Sequence, residues 1–202
     1  ITFTINDVDN DVDSLTLTAA SSNTAVIPNA NIVLGGSGTS RTITITPAAD
    51  KNTWNKNTLE DNPVTITITV EDATSSIEDT FTVTVNKIND DPVANADTAS
   101  VSEDGSISIS VLTNDTDVDL SNEGDELSIT SYANVDFGTV EIAEDLKSLT
   151  FSPTGDWNGT EIFNYTITDL EGATSTAQVT VTVNAVNDPP TISDISNQTI
   201  DE

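Results

Sequence analysis

Cysteine, histidine and methionine are all absent from this chain of 202 residues. Without thiols no disulfide can staple the fold, and the redox compartment stays open. Without imidazole or thiolate, zinc, copper and haem lose their usual ligands. Oxygen-ligated hard cations remain, calcium foremost. Basic residues are nearly as scarce: five Lys and Arg stand against 34 Asp and Glu, a formal net charge of -29. Such a chain repels nucleic acid and anionic membranes, so its expected partners are cations or basic surfaces. No apolar run approaches the roughly 20 residues of a membrane-spanning helix. No G-x-S-x-G, P-loop or cysteine nucleophile is present, and no enzymatic activity is expected. Ile1 reads as internal to a longer product, with no signal peptide in view.

What the chain does have is Val, Ile and Thr in alternating runs. Strands are expected at ITFTI, LTLTA, TITIT, VTITITV and TFTVTV in the first half. SISISV, LSITS, TVEI, LTFSP, YTITD and VTVTV repeat the pattern in the second. Period-2 alternation places one face in a core and one in water. Gly35, Gly36 and Gly38 are read as a hairpin turn, and no helix longer than a turn is expected.

The halves are repeats. VTITITVEDATSSIEDTFTVTVNKINDDP (64–92) returns as IFNYTITDLEGATSTAQVTVTVNAVNDPP (162–190), with Asn89 and Asn187 98 residues apart. That period is the size of an immunoglobulin-like sandwich. The expected class is all-β: two tandem Ig-like, Greek-key sandwiches over residues 1–88 and 89–187. The segment 188–202 is expected to be a linker and the first strand of a third repeat. The second repeat has its own first strand, PVANADTASVS, and the first repeat lacks it. The edge of ITFTI is therefore expected to be unpaired and open to strand addition. The tail Pro189–Glu202 is the matching strand type.

The acids gather at strand ends. One run holds Asp7, Asp9 and Asp11, and its counterpart holds Asp115, Asp117 and Asp119. Asp72 and Asp169 precede the last strands, and Asn89, Asp90, Asp91, Asn187 and Asp188 form the linkers. Alternate connections of a seven-stranded sandwich share an end. Asp115, Asp117, Asp119 and Asp169 are thus expected to face Asn89–Asp91, with Asp61 or a neighbour reaching the same place. Glu103, Asp156 and Glu161 are expected to meet Asn187 and Asp188. Carboxylates about 4 Å apart repel by roughly 4 kcal/mol at an effective dielectric near 20. A calcium ion, taking 6–8 oxygens, would turn that repulsion into a bridge. Turn chemistry explains many single Asp residues, but it does not explain D-x-D-x-D runs recurring beside N-D-x-P linkers.

Asp115-x-Asp117-x-Asp119 with Glu126 twelfth mimics an EF-hand loop, yet Leu120 stands where that loop needs Gly. A glycosidase carboxylate pair would occur once, whereas these acids recur. Trp54 and Trp157 occupy equivalent loops. Either could stack on a sugar, or each could plug an open end of its sandwich.

The linkers VNKINDDP (85–92) and VNAVNDPP (183–190), the loops NDTDVD (114–119) and NDVDND (6–11), TDLEG (168–172), SEDG (102–105) and GDWNGTE (155–161) together resemble the bacterial cadherin-like repeats of giant RTX-type adhesins. The longer segment DKNTWNKNTLEDN (50–62) departs from that pattern. The resemblance implies a calcium-stiffened repeat of an extracellular bacterial surface protein. The expected partners are neighbouring repeats of the same polypeptide, a homophilic or strand-donating copy at the unpaired edge, and a glycan at the Trp loops.

Overall fold

The computed structural model describes residues 1–122 and 124–199. It is almost entirely β-structure, and its one α-helix, Asp119–Asn122 (α1), is a single turn. Two compact units are present. One comprises Ile1–Pro92, Thr116–Leu127 and Asp169–Ala173, and the other Val93–Asp115, Ser128–Thr168 and Thr174–Glu202.

In the first unit, β1 (Thr2–Thr4), β3 (Ile32–Ser37) and β4 (Ser40–Ile45) form a sheet of order β1-β4-β3. Opposite it lie β2 (Thr16–Ser21), β7 (Val64–Glu71) and β8 (Ser76–Val83), in the order β2-β7-β8. Both sheets are antiparallel. Alternate residues of β4 and β7 point inward: Ile43, Val64, Ile66 and Ile68 are buried together with Val26, Ile27 and Ile32. Each such side chain removed from water contributes roughly 1.5–3 kcal/mol. The longer segment 50–62 contains a small hairpin of β5 (Trp54–Asn55) and β6 (Glu60–Asp61).

The glycine-rich turn is shorter than its sequence suggests. Gly35 and Gly36 lie inside β3, and the chain reverses at Gly38–Thr39. Gly36 has φ +88°, and a Cβ there would meet the Ser40 carbonyl oxygen at 2.5 Å. The left-handed conformation and the close strand approach both require glycine.

The second unit pairs β10 (Ile107–Ile109), β12 (Gly138–Ile142) and β13 (Leu149–Pro153) in the order β10-β13-β12. Facing them are β9 (Asp97–Ser102), β11 (Ser128–Ala133), β14 (Gly159–Thr168) and β15 (Thr174–Asn184), in the order β11-β14-β15-β9. Strand β9 runs parallel to β15, from Val179↔Asp97 to Asn184↔Ser102. Phe151 of β13 and Phe163 of β14 stack across the core with centroids 5.9 Å apart. The connections β10–β11 and β13–β14 cross from sheet to sheet, which makes a Greek-key sandwich.

The edge of ITFTI is unpaired, as expected: β1 ends its sheet and pairs with β4 alone, and β8 ends the other sheet. In the second unit β9 pairs with the last strand, β15, rather than with β10. Residues 188–199 form no strand, and the last three residues of the expected third-repeat strand lie outside the described residues.

Candidate metal centre

The first unit gathers three acids. Ligand oxygens of Asp117, Asp125 and Asp169 lie within 4.8 Å of one another, the one such group of three among the described residues. Asp125 and Asp169 are buried, and Asp117 is half-buried. Local turn geometry aims them. Asp169 Oδ1 accepts from the amides of Gly172 and Ala173 at 2.6 and 2.7 Å. Asp125 Oδ1 accepts from Glu126 and Leu170 N–H at 2.7 and 2.9 Å, and Asp117 Oδ1 accepts from Asp119 N–H at 2.8 Å. In each case one oxygen is fixed by backbone; Asp117 and Asp125 keep the other for the group, whereas Asp169 Oδ2 accepts from the linker.

The linker joins this centre. Asn89 Nδ2 donates to Asp169 Oδ2 at 2.7 Å, and Asp90 N–H donates to Asp119 Oδ2 at 2.8 Å. Lys87 pairs with Glu171 at 2.8 Å. Asp119 is buried. Asp90 and Asp119 line a hollow of about 270 Å³ with Asp50, Asn52 and Asn86.

Electrostatics marks the same place. Loss of solvent pushes the Asp117 carboxyl above its ordinary value, and the charges of Asp125, Asp119 and Asp169 add to the rise. Asp90 is raised by desolvation and then by Asp119, Asp50 and Asp91. The Oδ2 atoms of Asp117 and Asp125 are buried with no hydrogen-bond partner. A buried, unpaired carboxylate oxygen is costly unless something cationic meets it. The donors are all oxygen, which suits a hard cation and not zinc or copper. The residues present therefore fit calcium.

Other sequence candidates lie elsewhere. Asp115 is buried in the second unit, where its carboxylate accepts from Asn95 N–H at 2.7 Å and from the Tyr165 hydroxyl at 2.9 Å. Asp97 stands beside them and, like Asp115, is pushed up chiefly by burial. Asp7 Oδ1 caps the amides of Asp9 and Asn10, and Asn10 Nδ2 reaches Asp72 Oδ2 at 3.3 Å. Asp72 caps Thr74 and Ser75. These backbone bonds hold both carboxyls below their ordinary value. The Asp7–Asp72 pair reproduces the loop chemistry of Asp117 and Asp169. Asp11 caps Asp13 N–H, and Asp61 accepts from Thr53 Oγ1 at 3.0 Å.

Glu103, also buried, accepts from Val186 N–H at 2.6 Å. Glu161 is 2% exposed and accepts from Asp136 and Phe137 amides. Asp156, Asn187 and Asp188 are exposed, and the bond from Val186 brings the start of that linker to Glu103. Asp125 is the residue that sequence reading missed. It sits outside the D-x-D run, immediately before β11, and only its recurrence as an acid at a strand entry could have flagged it.

Residues 89–185 match the family described as the bacterial cadherin-like domain. No curated protein matches the chain. Among solved structures, it is similar to protocadherin gamma B2 extracellular cadherin domains 1–5 (16% identity, 93% of this chain, 37% of that one, TM-score 0.49). It is also similar to the human desmocollin-1 ectodomain (10%, 86%, 34%, 0.42). A third is an endo-fucoidan hydrolase from glycoside hydrolase family 107 (20%, 87%, 24%, 0.34). The chain thus spans well under half the length of each of these proteins.

Proposed function

We propose, from the match of residues 89–185 to the bacterial cadherin-like domain, that this chain is a calcium-binding structural or adhesion repeat of an extracellular bacterial surface protein. The observation that carries this reading is the pair of buried, unpartnered oxygens on Asp117 and Asp125 beside Asp169. A calcium ion there would be held by those three carboxylates, with Asn89, Asp90 and Asp119 at hand. It would neutralise their mutual repulsion and lock the linker 89–91 to the loops 116–127 and 169–173. Such a linker transmits force or sets reach, and it needs no catalytic group. In a surface protein, partner repeats of the same polypeptide would be its neighbours.

The test is calorimetric titration with calcium, together with melting in calcium and in chelator. Calcium should bind and raise the melting temperature. A melting temperature indifferent to both would overturn the reading. Extracellular modules bind calcium at about 10⁻⁴–10⁻³ M, so millimolar calcium would add about 0.4–1.4 kcal/mol per site.

A second reading, glycan binding, has one observation in its favour. Trp54 lines a cleft of about 280 Å³ with Asn23, Asn52, Asn55, Asn57 and Asn62, an aromatic face among amides. Trp157 does not share it: its ring is stacked on Phe137 at 4.6 Å. Titration of Trp54 fluorescence with oligosaccharides discriminates, because a spacer gives no response.

A further inference from the structure

Side chains tie the linker to loop 169–173 without any ion. Lys87 Nζ lies 2.8 Å from Glu171 Oε1, and Asn89 Nδ2 donates to Asp169 Oδ2 at 2.7 Å. One residue further on, Asp90 N–H donates to Asp119 Oδ2 at 2.8 Å. The Lys87 ammonium also stands 6.0 Å from the centroid of the Trp54 ring, within reach of a cation–π attraction. Trp157, in the equivalent loop, is covered by Phe137 instead.

The charged pair marks this linker and not its repeat. At the 98-residue spacing Lys87 corresponds to Ala185, and Glu171 corresponds to Ala73. Both charges are thus replaced by alanine in the other copy of each element. Lysine and arginine number five in the whole chain. This lysine stands on the linker that carries Asp90 and Asp91 and that bonds to Asp119 and Asp169.

We propose that Lys87 is a built-in counter-ion of the linker, whose ammonium holds residues 87–90 against loop 169–173 when no metal is bound. An isolated ion pair whose side chains are 39 and 38% exposed contributes little. Here one ammonium meets a carboxylate and a ring at once. It also sits among acids whose repulsion would otherwise push linker and loop apart. The Oδ2 atoms of Asp117 and Asp125 have no partner, so this ammonium leaves them to a metal. The proposal rests on the calcium reading in one respect only: calcium then stiffens a linker that is already in place.

Hydrogen exchange at the Asp90 amide, followed by NMR on the full chain in chelator, tests the counter-ion. In the parent that amide should be protected. Lys87→Gln and Glu171→Ala should each speed its exchange about two- to fivefold, and Lys87→Arg should not. Lys87→Glu should be worse than Lys87→Gln, and adding Glu171→Lys to it should restore protection. Salt at about 1 M, where the Debye length is about 3 Å, should speed exchange in the parent and leave Lys87→Gln nearly unchanged. Saturating calcium should erase the difference between Lys87→Gln and the parent. Calcium should bind that variant about twofold more tightly, since a repelling charge has gone. An Asp90 amide that exchanges freely in chelator, or equally fast in the parent and in Lys87→Gln, would overturn the proposal. Calcium that binds neither protein would overturn the calcium reading alone, because the chelator series decides the counter-ion without it.

Discussion

Asp117 and Asp125 each keep one carboxylate oxygen buried and without a hydrogen-bond partner, while a backbone amide fixes the other. Together with Asp169 they are close enough to share one ion. Two such charges within 4.8 Å of one another repel by about 3 kcal/mol or more at an effective dielectric near 20. That repulsion is what the calcium ion of the proposed reading would relieve.

Asp125→Asn separates charge from geometry. Its Oδ1 can still accept from Glu126 and Leu170 amides, and the share of the repulsion due to Asp125 is gone. In chelator the variant should melt about 4–8 °C higher for each kcal/mol relieved, on the scale of a small domain. The rise in melting temperature on adding calcium should shrink or vanish. A variant that responds to calcium like the parent would place the ion elsewhere. Scanning calorimetry with and without calcium makes the comparison.

Acid should compete with calcium. Asp117 and Asp90 titrate above the ordinary carboxylate value of 3.8, so protons occupy their oxygens first as the pH falls. Calcium affinity should drop progressively between neutral pH and that raised range. In chelator the sign reverses. A carboxyl whose folded value is raised binds its proton more readily in the folded state. Stability therefore rises as pH falls through the folded value, and the gain is complete below 3.8. Asp97 and Asp115 act in the same direction. The lowered Asp7 and Asp72 oppose it, losing their contribution as pH falls from 3.8 downward. Chelator-treated protein should show a shallow stability maximum on the acid side of neutrality, followed by a decline. Melting curves across pH with and without calcium read both trends.

Tyr165→Phe tests the polar knot of the second unit. The hydroxyl lies 2.8 Å from the Asn95 carbonyl and 2.9 Å from Asp115 Oδ1, in a side chain with no exposed surface. Deleting it leaves a buried carboxylate with fewer donors, at a cost of about 1–3 kcal/mol. Asp115→Asn added to Tyr165→Phe should recover part of the loss, because the uncompensated charge is removed. Chemical denaturation measures both.

Glu161→Gln probes the buried acid on the inward face of β14. Both carboxylate oxygens accept backbone amides, from Asp136 and Phe137. A glutamine keeps one acceptor and turns an NH₂ toward the second amide. The expected loss is about 1–3 kcal/mol, with no change in the calcium response, and the same melting series reports it.

The sequence by itself determined the class and the periodicity. Alternation in VTITITV and VTVTV admits only half-buried strands, and a 98-residue repeat of the same strands admits only like units. The absence of imidazole and thiol, with acids at strand ends, points by itself to an oxygen-ligated cation. Tertiary structure decided which acids meet, because a carboxylate's role depends on what the fold sets against it. Asp115 looks like its neighbours in the D-x-D run but faces Tyr165, and Asp125 lies outside that run but faces Asp117 and Asp169. Tertiary structure also decided strand partners, since alternation names a strand but not its neighbour: β9 runs parallel to β15 rather than beside β10.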